Sequence, residues 1–408
     1  MEEYNINKAK ITMEEGRTIE KISEIFNDMC AKETIPLLED TLWANASVFA
    51  PDICYFGKRS TRIKSPCEHT FVHGTGAIGI NTIWSLCEPL FVRKKVYSHM
   101  TSGSLTSMVE NIEKEIDHSM IFLSEFFTKD ITLINNVKAL IEENELVAAR
   151  SYSKGTFSKT TLINAKPAFY IGCNSIPKIL DNPFLSRFDN FYQIRGSKPI
   201  YNEIIQLQIN TLGNLSNFRN MKTFKEISEY KNVFFYLKAV HDMKEKLSTK
   251  KYTSIFVNFE NQQEHFEQAK NALLAKYDIV YSLLPRDFEI GYRRANASAW
   301  LNCLNRNITV VNECLVIEAQ QEDIDNAIKS IEKSLDAKHK FFEWRYNLQK
   351  EMYQGRKKSK EKEYYILNYQ QLKAKPFREQ ADEMKKAGFS TSHSTLSQWS
   401  KEMEGIGI

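Results

Sequence analysis

Three closely spaced glycines form the segment of this chain best suited to bind a phosphate group. Gly74, Gly76 and Gly79 lie in FVHGTGAIGINT, after an apolar run and before a predicted helix that continues from Ile83. In that context glycines allow backbone N–H groups to wrap a phosphate at a helix N-terminus. The pattern therefore predicts a nucleotide-binding loop with Gly74, Gly76 and Gly79 as its binding residues.

The loop lacks the charged residue that such a site needs. A working loop carries a Lys after its last glycine for the outer phosphates, and then a Ser or Thr for magnesium. Ile80 and Asn81 occupy those positions, and Thr82 comes one position late. Thr82 is the remaining candidate for contact with a bound nucleotide. We predict no metal site formed by the chain itself.

A second departure follows the apolar run at residues 120–123. In P-loop ATPases such a strand ends in Asp, which holds magnesium, and then Glu, which polarises the attacking water. This chain has Ser124 and Glu125 there. With both the Lys and the Asp replaced, the charges that neutralise a triphosphate and seat the metal are absent. We therefore expect ATP hydrolysis by this chain to be impaired or lost.

The surrounding pattern predicts the elements that hold these residues. Short apolar runs alternate with amphipathic helical stretches, which favours a three-layer α/β sheet of buried parallel strands. The runs occupy residues 70–73, 95–97, 119–123 and 168–172. Helical spacing predicts two helices at residues 19–29 and 35–49, and an all-helical region from 201 to about 340. The predicted domains are 1–66, 67–200, 201–345 and 346–408.

Composition and charge limit the classes of protein to which this chain can belong. The chain has 408 residues, a net charge of +4, and no apolar stretch of membrane-spanning length. Its N-terminus is charged and polar where a signal peptide would need an apolar core. The seven cysteines are scattered without a CxxC pair, which argues against a disulfide framework or zinc site. We expect a cytoplasmic protein that does not contact membranes.

The order of motifs from residue 67 to about 335 resembles the minichromosome-maintenance (MCM) branch of AAA+ helicases, and the related replication helicases carried by mobile elements of Gram-positive bacteria. The segments that carry the resemblance are VYSHMTSGSLTSMV, MIFLSEF, KALIEENEL, RSYSKGTFSKTT, LINAKPAFYIGCNSIP, FLSRFD, PRDFEIGYRRANA and VIEAQQEDIDNAIKSIEKSL. The resemblance implies a P-loop NTPase (AAA+) fold with a three-layer αβα core, a helical lid, ATP and Mg²⁺ as cofactors, and assembly into a hexamer-type ring.

The resemblance assigns catalytic roles to four residues. Glu125 matches the acid that polarises water, and Asn174 matches the sensor that orients it. Arg187, in FLSRFD, matches the arginine that reaches a neighbouring subunit's phosphate, and Arg286 matches the second sensor. The residues that depart from the family's pattern belong to the half of the nucleotide site that binds the subunit's own nucleotide. Both arginines, which match residues that serve a neighbour's nucleotide, are retained. This asymmetry predicts a subunit that completes a neighbour's pocket better than its own.

A polar hairpin at residues 150–161 is the first candidate for DNA contact. Lys154 is expected near its turn, with Lys159 close by. In a ring, such lysines track the phosphate backbone without reading base sequence. An ordinary solvated β-turn is the alternative explanation of the same residues.

The C-terminal segment FREQADEMKKAGFSTSHSTLSQWSKEME predicts a helix, a glycine turn and a second helix. Gly388 makes the turn, and Leu396 lies on the buried face of the second helix. Thr395, Gln398 and Lys401 then face outward, as residue types suited to phosphate and base-edge contacts. We predict a winged-helix-like helix-turn-helix domain that binds DNA. A helical hairpin that packs on another protein uses the same turn.

These observations favour a DNA-binding AAA+ protein of the replication-helicase type, acting in DNA replication of a mobile element. Its partners would be DNA and either copies of itself or an active AAA+ homologue. The alternative is a sequence-specific origin-binding or regulatory protein whose AAA+ domain only oligomerises. A third hypothesis is an adaptor that inserts into another motor ring.

Overall fold

The chain divides into two compact units, each with its own hydrophobic core. The larger comprises Met1–Ile176 and Pro183–Ala337, and the smaller comprises Pro177–Asn182 and Lys338–Ile408. The structure is a computed structural model, and it describes residues 5–27, 29–56, 61–74, 79–98, 116–124, 131–142, 145–151, 158–173, 182–211, 222–247, 254–277, 284–354 and 360–406.

Three helices and a hairpin open the larger unit: α1 (Ile6–Glu14), α2 (Thr18–Phe26), α3 (Ile35–Ser47), β1 (Ile53–Phe56) and β2 (Thr61–Lys64). Asn5 caps α1 by accepting a hydrogen bond from the Lys8 backbone N–H. On α2 the apolar positions Ile19, Ile22 and Phe26 recur at helical spacing and are buried, as an amphipathic helix requires. The helices predicted at residues 19–29 and 35–49 are confirmed.

A parallel sheet and the helices around it follow. The elements are β3 (Thr70–Gly74), α4 (Ile80–Cys87), β4 (Lys94–Ser98), β5 (Met120–Ser124), α5 (Ile131–Glu142), β6 (Glu145–Ser151), β7 (Ser158–Asn164), β8 (Ala168–Cys173), α6 (Asn182–Leu185) and β9 (Asn190–Ile194). Among the described residues, the sheet has five parallel strands in the order β4-β5-β8-β3-β9, and β6 pairs with β7 in a separate antiparallel hairpin. The mixed α/β fold is compatible with the predicted three-layer core.

The four predicted strands are all present and parallel, but one is not fully buried. Strands β3, β5 and β8 consist almost entirely of buried residues, because helices and other strands cover them. Strand β4 lies at the edge of the sheet, and its Val96 is 52% exposed. The expectation of a fully buried strand at 95–97 is therefore wrong, since only one side of β4 is paired.

The expectation of an all-helical region from 201 to about 340 is also wrong. The elements are α7 (Lys198–Thr211), α8 (Lys222–Leu247), β10 (Ser254–Asn258), α9 (Gln263–Lys276), α10 (Leu284–Leu301), β11 (Ile308–Val311), β12 (Cys314–Glu318) and α11 (Gln321–Gln354). The strands form a sheet in the order β10-β12-β11. Asn312 and Glu313 join β11 to β12 with φ of 47° and 63°, the left-handed conformation of a tight hairpin turn.

Two buried arginines anchor α10 to the rest of the larger unit. Arg294 binds Glu68 through both ends of its guanidinium at 2.7 Å, and it also donates to Asp40 at 3.0 Å. Burial works against a charged Asp40, but Lys333 and Arg294 more than offset it and hold the pKa of that carboxyl below its usual value. Arg293, the preceding residue, pairs with Asp189. This arrangement fixes the helix that carries Arg286.

The smaller unit contains α12 (Lys360–Leu367), α13 (Tyr369–Leu372), α14 (Phe377–Lys386) and α15 (His393–Ile406). Its core includes Met384 from α14 and Leu396 from α15. Gly388 follows α14 with φ of 88°, and the Phe389 N–H donates to the Met384 carbonyl across this turn. Ser392 Oγ accepts from the Thr395 N–H and caps α15. The predicted helices, the glycine turn and the buried Leu396 are confirmed.

Several features are defined only for the part of the chain that the structure describes. Within it, no helix combines the length and the apolar character that crossing a membrane requires. The same residues include no group of three or more His, Cys, Asp or Glu that could hold a metal ion. Five of the seven cysteines are buried. Burial raises the pKa of Cys67 to about 12, so this thiol stays protonated.

Candidate functional site

Two arginines that lie far apart in the sequence share one carboxylate. Glu142 Oε2 accepts from Arg187 Nη2 at 2.8 Å, and Glu142 Oε1 accepts from Arg286 Nη2 at 2.9 Å. Arg286 Nη1 also donates to Ser186 Oγ at 2.7 Å. The structure therefore brings together both arginines singled out from the sequence. Each is held by hydrogen bonds within the chain.

The turn that carries Arg187 is held by the core on both sides. Phe184 and Phe188 are completely buried, and their rings lie 6.4 and 5.2 Å from the ring of Phe71 on β3. Edge-to-face and tilted contacts of this kind add to the free energy of burial. The aromatic residues of FLSRFD thus form the packed base of the turn, and Arg187 projects from it with 13% of its side chain exposed.

Sequence reasoning missed Glu142. It is the last residue of α5, where the negative end of the helix dipole disfavours an acid. Two guanidinium groups offset that cost here, since hydrogen bonds between charged groups are about twice as strong as neutral ones. An acid at the end of a predicted helix was the available signal, although it could not identify the partners.

The arginine pair opens into a cavity of about 350 Å³, which we call the arginine cavity. It is lined by Arg62, Ile63, Lys64, Ile141, Glu142, Arg187, Arg286, Glu289, Ile290 and Arg293. Five of these ten residues are Arg or Lys, and two are Glu. A cleft with such an excess of one charge concentrates ions of the opposite sign. The cavity is therefore suited to an anion.

A second ion group lies on another side of the arginine cavity. Glu289 Oε1 lies 3.0 Å from Lys64 Nζ and 3.8 Å from Arg62 Nη2. Burial opposes ionisation of Glu289, but the hydrogen bond and charge of Lys64, with the charges of Arg293 and Arg62, lower the pKa of its carboxyl below the usual value. Glu289 is therefore charged at neutral pH, and it links β2 to α10.

The glycine turn lies where an open parallel sheet usually binds its ligand. Gly74 ends β3, and Gly79 precedes α4 with φ of 87°. Strands β3 and β8 are neighbours, yet the chain after β3 leads to one edge strand, β4, and the chain after β8 leads to the other, β9. Ligands of open parallel sheets bind outside the carboxyl ends of the strands, and the glycine turn lies at that end of β3. Thr82 is exposed on the first turn of α4.

The described residues of the glycine turn do not fit a magnesium triphosphate. Ile80, at the position that would need a Lys, is 9% exposed and belongs to the main core. Its Cγ2 packs so closely over β8 that a Cβ on Gly172 would lie 3.1 Å from it. Residues 74–83 contain no charged side chain. The structure thus gives a physical reason for an apolar residue at this position: the Ile80 side chain belongs to the core.

A second cavity, of about 360 Å³, adjoins the glycine turn. It is lined by Met29, Cys30, Ala31, Thr34, Gly79, Thr82, Ile83, Ile204, Leu207 and Gln208, none of which carries a charge. Burial is the main cause that raises the pKa of Cys30, so the thiol is neutral. A lining of this kind suits an uncharged ring rather than a phosphate.

Several predicted residues cannot be placed. Glu125, Asn174, Gly76 and Lys154 lie outside the described residues. The strands that precede Glu125 and Asn174, β5 and β8, are adjacent and parallel. The hairpin predicted at residues 150–161 is confirmed as the antiparallel pair β6 and β7, and Lys159 lies on β7 opposite Arg150.

The predicted DNA-facing residues share one side of α15. Gln398 and Lys401 are exposed and Thr395 is partly exposed, while Leu396 on the opposite side is buried. Gln398 Nε2 donates to Glu402 Oε1 at 3.3 Å. Glu402, which also pairs with Lys362 at 2.5 Å, places an acid on the face that would approach DNA. The helix therefore offers both attractive and repulsive groups to a phosphate backbone.

Comparison with known proteins identifies no family model and no curated protein that matches the chain. The resemblance to the MCM branch of AAA+ helicases accordingly depends on the order of its motifs, and it stays a prediction.

Proposed function

We propose that the protein is a DNA-binding AAA+ protein of the replication-helicase type, which acts in DNA replication of a mobile element with impaired or lost ATP hydrolysis of its own. It would work in a hexamer-type ring, either with its own copies or with an active AAA+ homologue. In that ring Arg187 and Arg286 would act on ATP held with Mg²⁺ by a neighbouring subunit. The smaller unit would bind DNA through Thr395, Gln398 and Lys401.

One contrast carries this proposal. Arg187 and Arg286 converge on Glu142 at one site, whereas the glycine turn has Ile80 packed in the core where a Lys would be needed. Two arginines that converge at one site, in a chain whose own glycine turn has no Lys, are consistent with a subunit that serves another subunit's nucleotide. The parallel sheet, with its glycine turn at the end of β3, supports the same fold class.

Three measurements on the purified full chain test the proposal. We expect a DNA gel shift, DNA-dependent assembly beyond the monomer in sedimentation velocity, and little DNA-stimulated ATP turnover. Failure to shift DNA together with a purely monomeric state would remove the main supports. Robust turnover that Arg187→Ala abolishes would show instead that the chain is an active ATPase.

A second candidate is an origin-binding or regulatory protein whose larger unit only oligomerises. The exposed Gln398 and Lys401 on one face of α15 favour it, because amide and ammonium groups can contact base edges. Footprinting decides between the two candidates. Tight binding to one defined sequence without strand separation favours the second, and sequence-independent binding favours the first.

A further inference from the structure

Strand β11 forms an exposed apolar edge of the three-stranded sheet. The sheet order is β10-β12-β11, and among the strands that the structure describes none lies on the other side of β11. The side chains of Ile308, Val310 and Val311 are 50%, 57% and 51% exposed. Exposed apolar side chains on an edge strand indicate a surface to which another strand can bind.

The backbone groups of β11 alternate between the two sides of the strand. The Glu318 N–H donates to the Asn307 carbonyl at 3.0 Å, so Asn307 directs its backbone groups toward β12. In an antiparallel pair every second residue does the same. Ile308 and Val310 belong to the other set, and they therefore direct their N–H and C=O groups away from β12, toward the open edge.

The side chains of the same two residues continue an apolar face of the sheet. Ile308 lies opposite Ile317, and Val310 lies opposite Leu315. Residues directly opposite each other point to the same face. Ile317 is 2% exposed and belongs to the main core, against which Leu315 packs. This face is therefore covered at β12, and it is half exposed one strand further on, at β11.

The composition of β11 gives no protection against pairing. Natural edge strands often carry charged residues or Pro, which prevent contact with another strand. Strand β4, at the edge of the larger sheet, has Lys94 and Lys95. Residues 307–312, by contrast, contain no charged side chain and no Pro. A second strand would therefore meet no electrostatic barrier at β11.

A second copy of β11 is complementary to the first. A two-fold axis at Thr309 pairs the two copies antiparallel and places Ile308 opposite Val310 of the second copy. The outward N–H and C=O groups of these two residues then bond to each other. Thr309 faces its own copy, and Thr–Thr pairs stabilise antiparallel strands. One continuous apolar row then crosses both chains, formed by Ile317, Ile308, Val310 and Leu315.

We propose that β11 is a self-association site, at which two copies of this chain pair antiparallel about a two-fold axis at Thr309 and join their three-stranded sheets into one continuous sheet. A four-residue edge is small beside the roughly 20–30 residues that each partner contributes to a standard interface. The dimer is therefore weak, with a dissociation constant on the order of 10 µM. The pairing requires neither DNA nor nucleotide, so it does not rest on the proposed function.

Sedimentation velocity of the full chain, without DNA or nucleotide, tests the proposal at protein concentrations below and above about 10 µM. We expect the unmodified chain to change from monomer to dimer over this range. Thr309→Lys and Thr309→Glu each place two like charges opposite each other and should weaken the dimer at least about tenfold. An equimolar mixture of the two variants pairs opposite charges and should restore the dimer. Thr309 is exposed, so both variants should fold, which circular dichroism verifies.

Cross-linking tests the register of the two strands independently. Thr309→Cys should form a disulfide with its own copy when glutathione disulfide is the oxidant, because Cα atoms in a non-hydrogen-bonded antiparallel pair lie about 4.5 Å apart. The matched control is Val311→Cys, also an exposed site, which lies on the same face. Its two copies would be separated by roughly 13 Å along the strands, so it should form no such disulfide. The unmodified chain measures any cross-linking by the native cysteines.

The proposal is overturned if the unmodified chain stays monomeric at every concentration, or if Thr309→Lys and Thr309→Glu dimerise as tightly as the unmodified chain. It is also overturned if the mixture of these two variants stays monomeric, or if Val311→Cys cross-links as fast as Thr309→Cys. A chain that dimerises through β11 but shifts no DNA supports this site while the proposed function fails. A chain that shifts DNA but never dimerises without it overturns this site alone.

Discussion

Arg293 Nη1 donates to both carboxylate oxygens of Asp189, at 3.2 and 3.0 Å, and both side chains are buried. Asp189 also accepts from the His69 backbone N–H at 2.7 Å. The pair thus joins α10, the start of β3 and the turn two residues after Arg187. It fixes the relative positions of the elements that carry Arg187 and Arg286.

Removing one partner of this buried pair should be strongly destabilising. Asp189→Ala leaves the Arg293 charge buried without its partner, and we expect a loss of about 3–5 kcal/mol in the free energy of unfolding. Urea denaturation followed by circular dichroism measures it. The control is Glu229→Ala, which breaks the exposed Lys8–Glu229 pair and should cost no more than about 1 kcal/mol. Equal effects of the two changes would contradict a structural role for the buried pair.

The stability of the larger unit should fall in mild acid because of His69. Burial, assisted by the charge of Arg293, lowers the pKa of His69 well below its ordinary 6.5. Its Nδ1 accepts from the Phe169 N–H at 3.2 Å, so the folded state needs the neutral ring. As the pH falls below 6.5 the unfolded chain binds a proton that the folded chain excludes, and stability decreases.

The measurement compares unfolding free energies at pH 7.5 and 5.5. The unmodified chain should lose about 1.4 kcal/mol more than His69→Asn between these two values. Asn provides a short acceptor and does not titrate. The comparison uses the difference between pH values, so an overall loss of stability in the variant does not affect it. The same pH dependence in both proteins would exclude His69 as the cause.

Placing a lysine at the glycine turn should not create a nucleotide site. Ile80→Lys replaces a core side chain of α4, and lost apolar burial together with the desolvated ammonium should cost about 3 kcal/mol. We expect no gain in ATP affinity by calorimetry. Asn81→Lys, at the next and exposed position, is the control and should change stability by no more than about 0.5 kcal/mol. A stable Ile80→Lys variant that binds ATP would disprove this description of the turn.

The close packing of α10 against α11 depends on Gly291. A Cβ at this position would lie 2.4 Å from Ile331 Cδ1, so Gly291→Ala should cost about 1–3 kcal/mol despite the better helix propensity of Ala. Ile331→Val removes the nearest atom but keeps Cγ1, which would lie 2.9 Å from the added Cβ, so the clash is only partly relieved. The loss in the free energy of unfolding of the double variant should therefore be smaller, by at least about 0.5 kcal/mol, than the sum of the losses of the two single variants. Additive losses in urea denaturation would show that the two residues do not clash.

Lys401 should contribute a phosphate contact if α15 binds DNA. Lys401→Ala should then weaken binding to all sequences alike and lower the slope of log affinity against log salt by about 1. Fluorescence anisotropy at several salt concentrations measures this. Lys276→Ala, on α9 of the larger unit, is the charge-matched control. An unchanged slope for Lys401→Ala would remove α15 from the DNA-binding surface.

The sequence by itself determined the local elements of the chain. Apolar runs identified β3, β5 and β8, helical spacing identified α2 and α3, and Gly388 identified the turn before α15. Each of these elements follows from side-chain periodicity or from the backbone freedom of a single residue. Both are local properties, which depend on neighbours along the chain. The absence of charge in the glycine turn was also visible, since it depends only on residue types.

Only the tertiary structure decided which distant residues meet. Glu142 and Arg286 are 144 positions apart, and Arg294 and Glu68 are 226 positions apart. The three-stranded sheet of β10, β11 and β12 also depends on pairing across two helices. Periodicity shows which face of an element is buried, but the partner on that face is chosen by the folding of the whole chain. The arginine cavity, which combines residues from β2, α5 and α10, therefore required the folded structure.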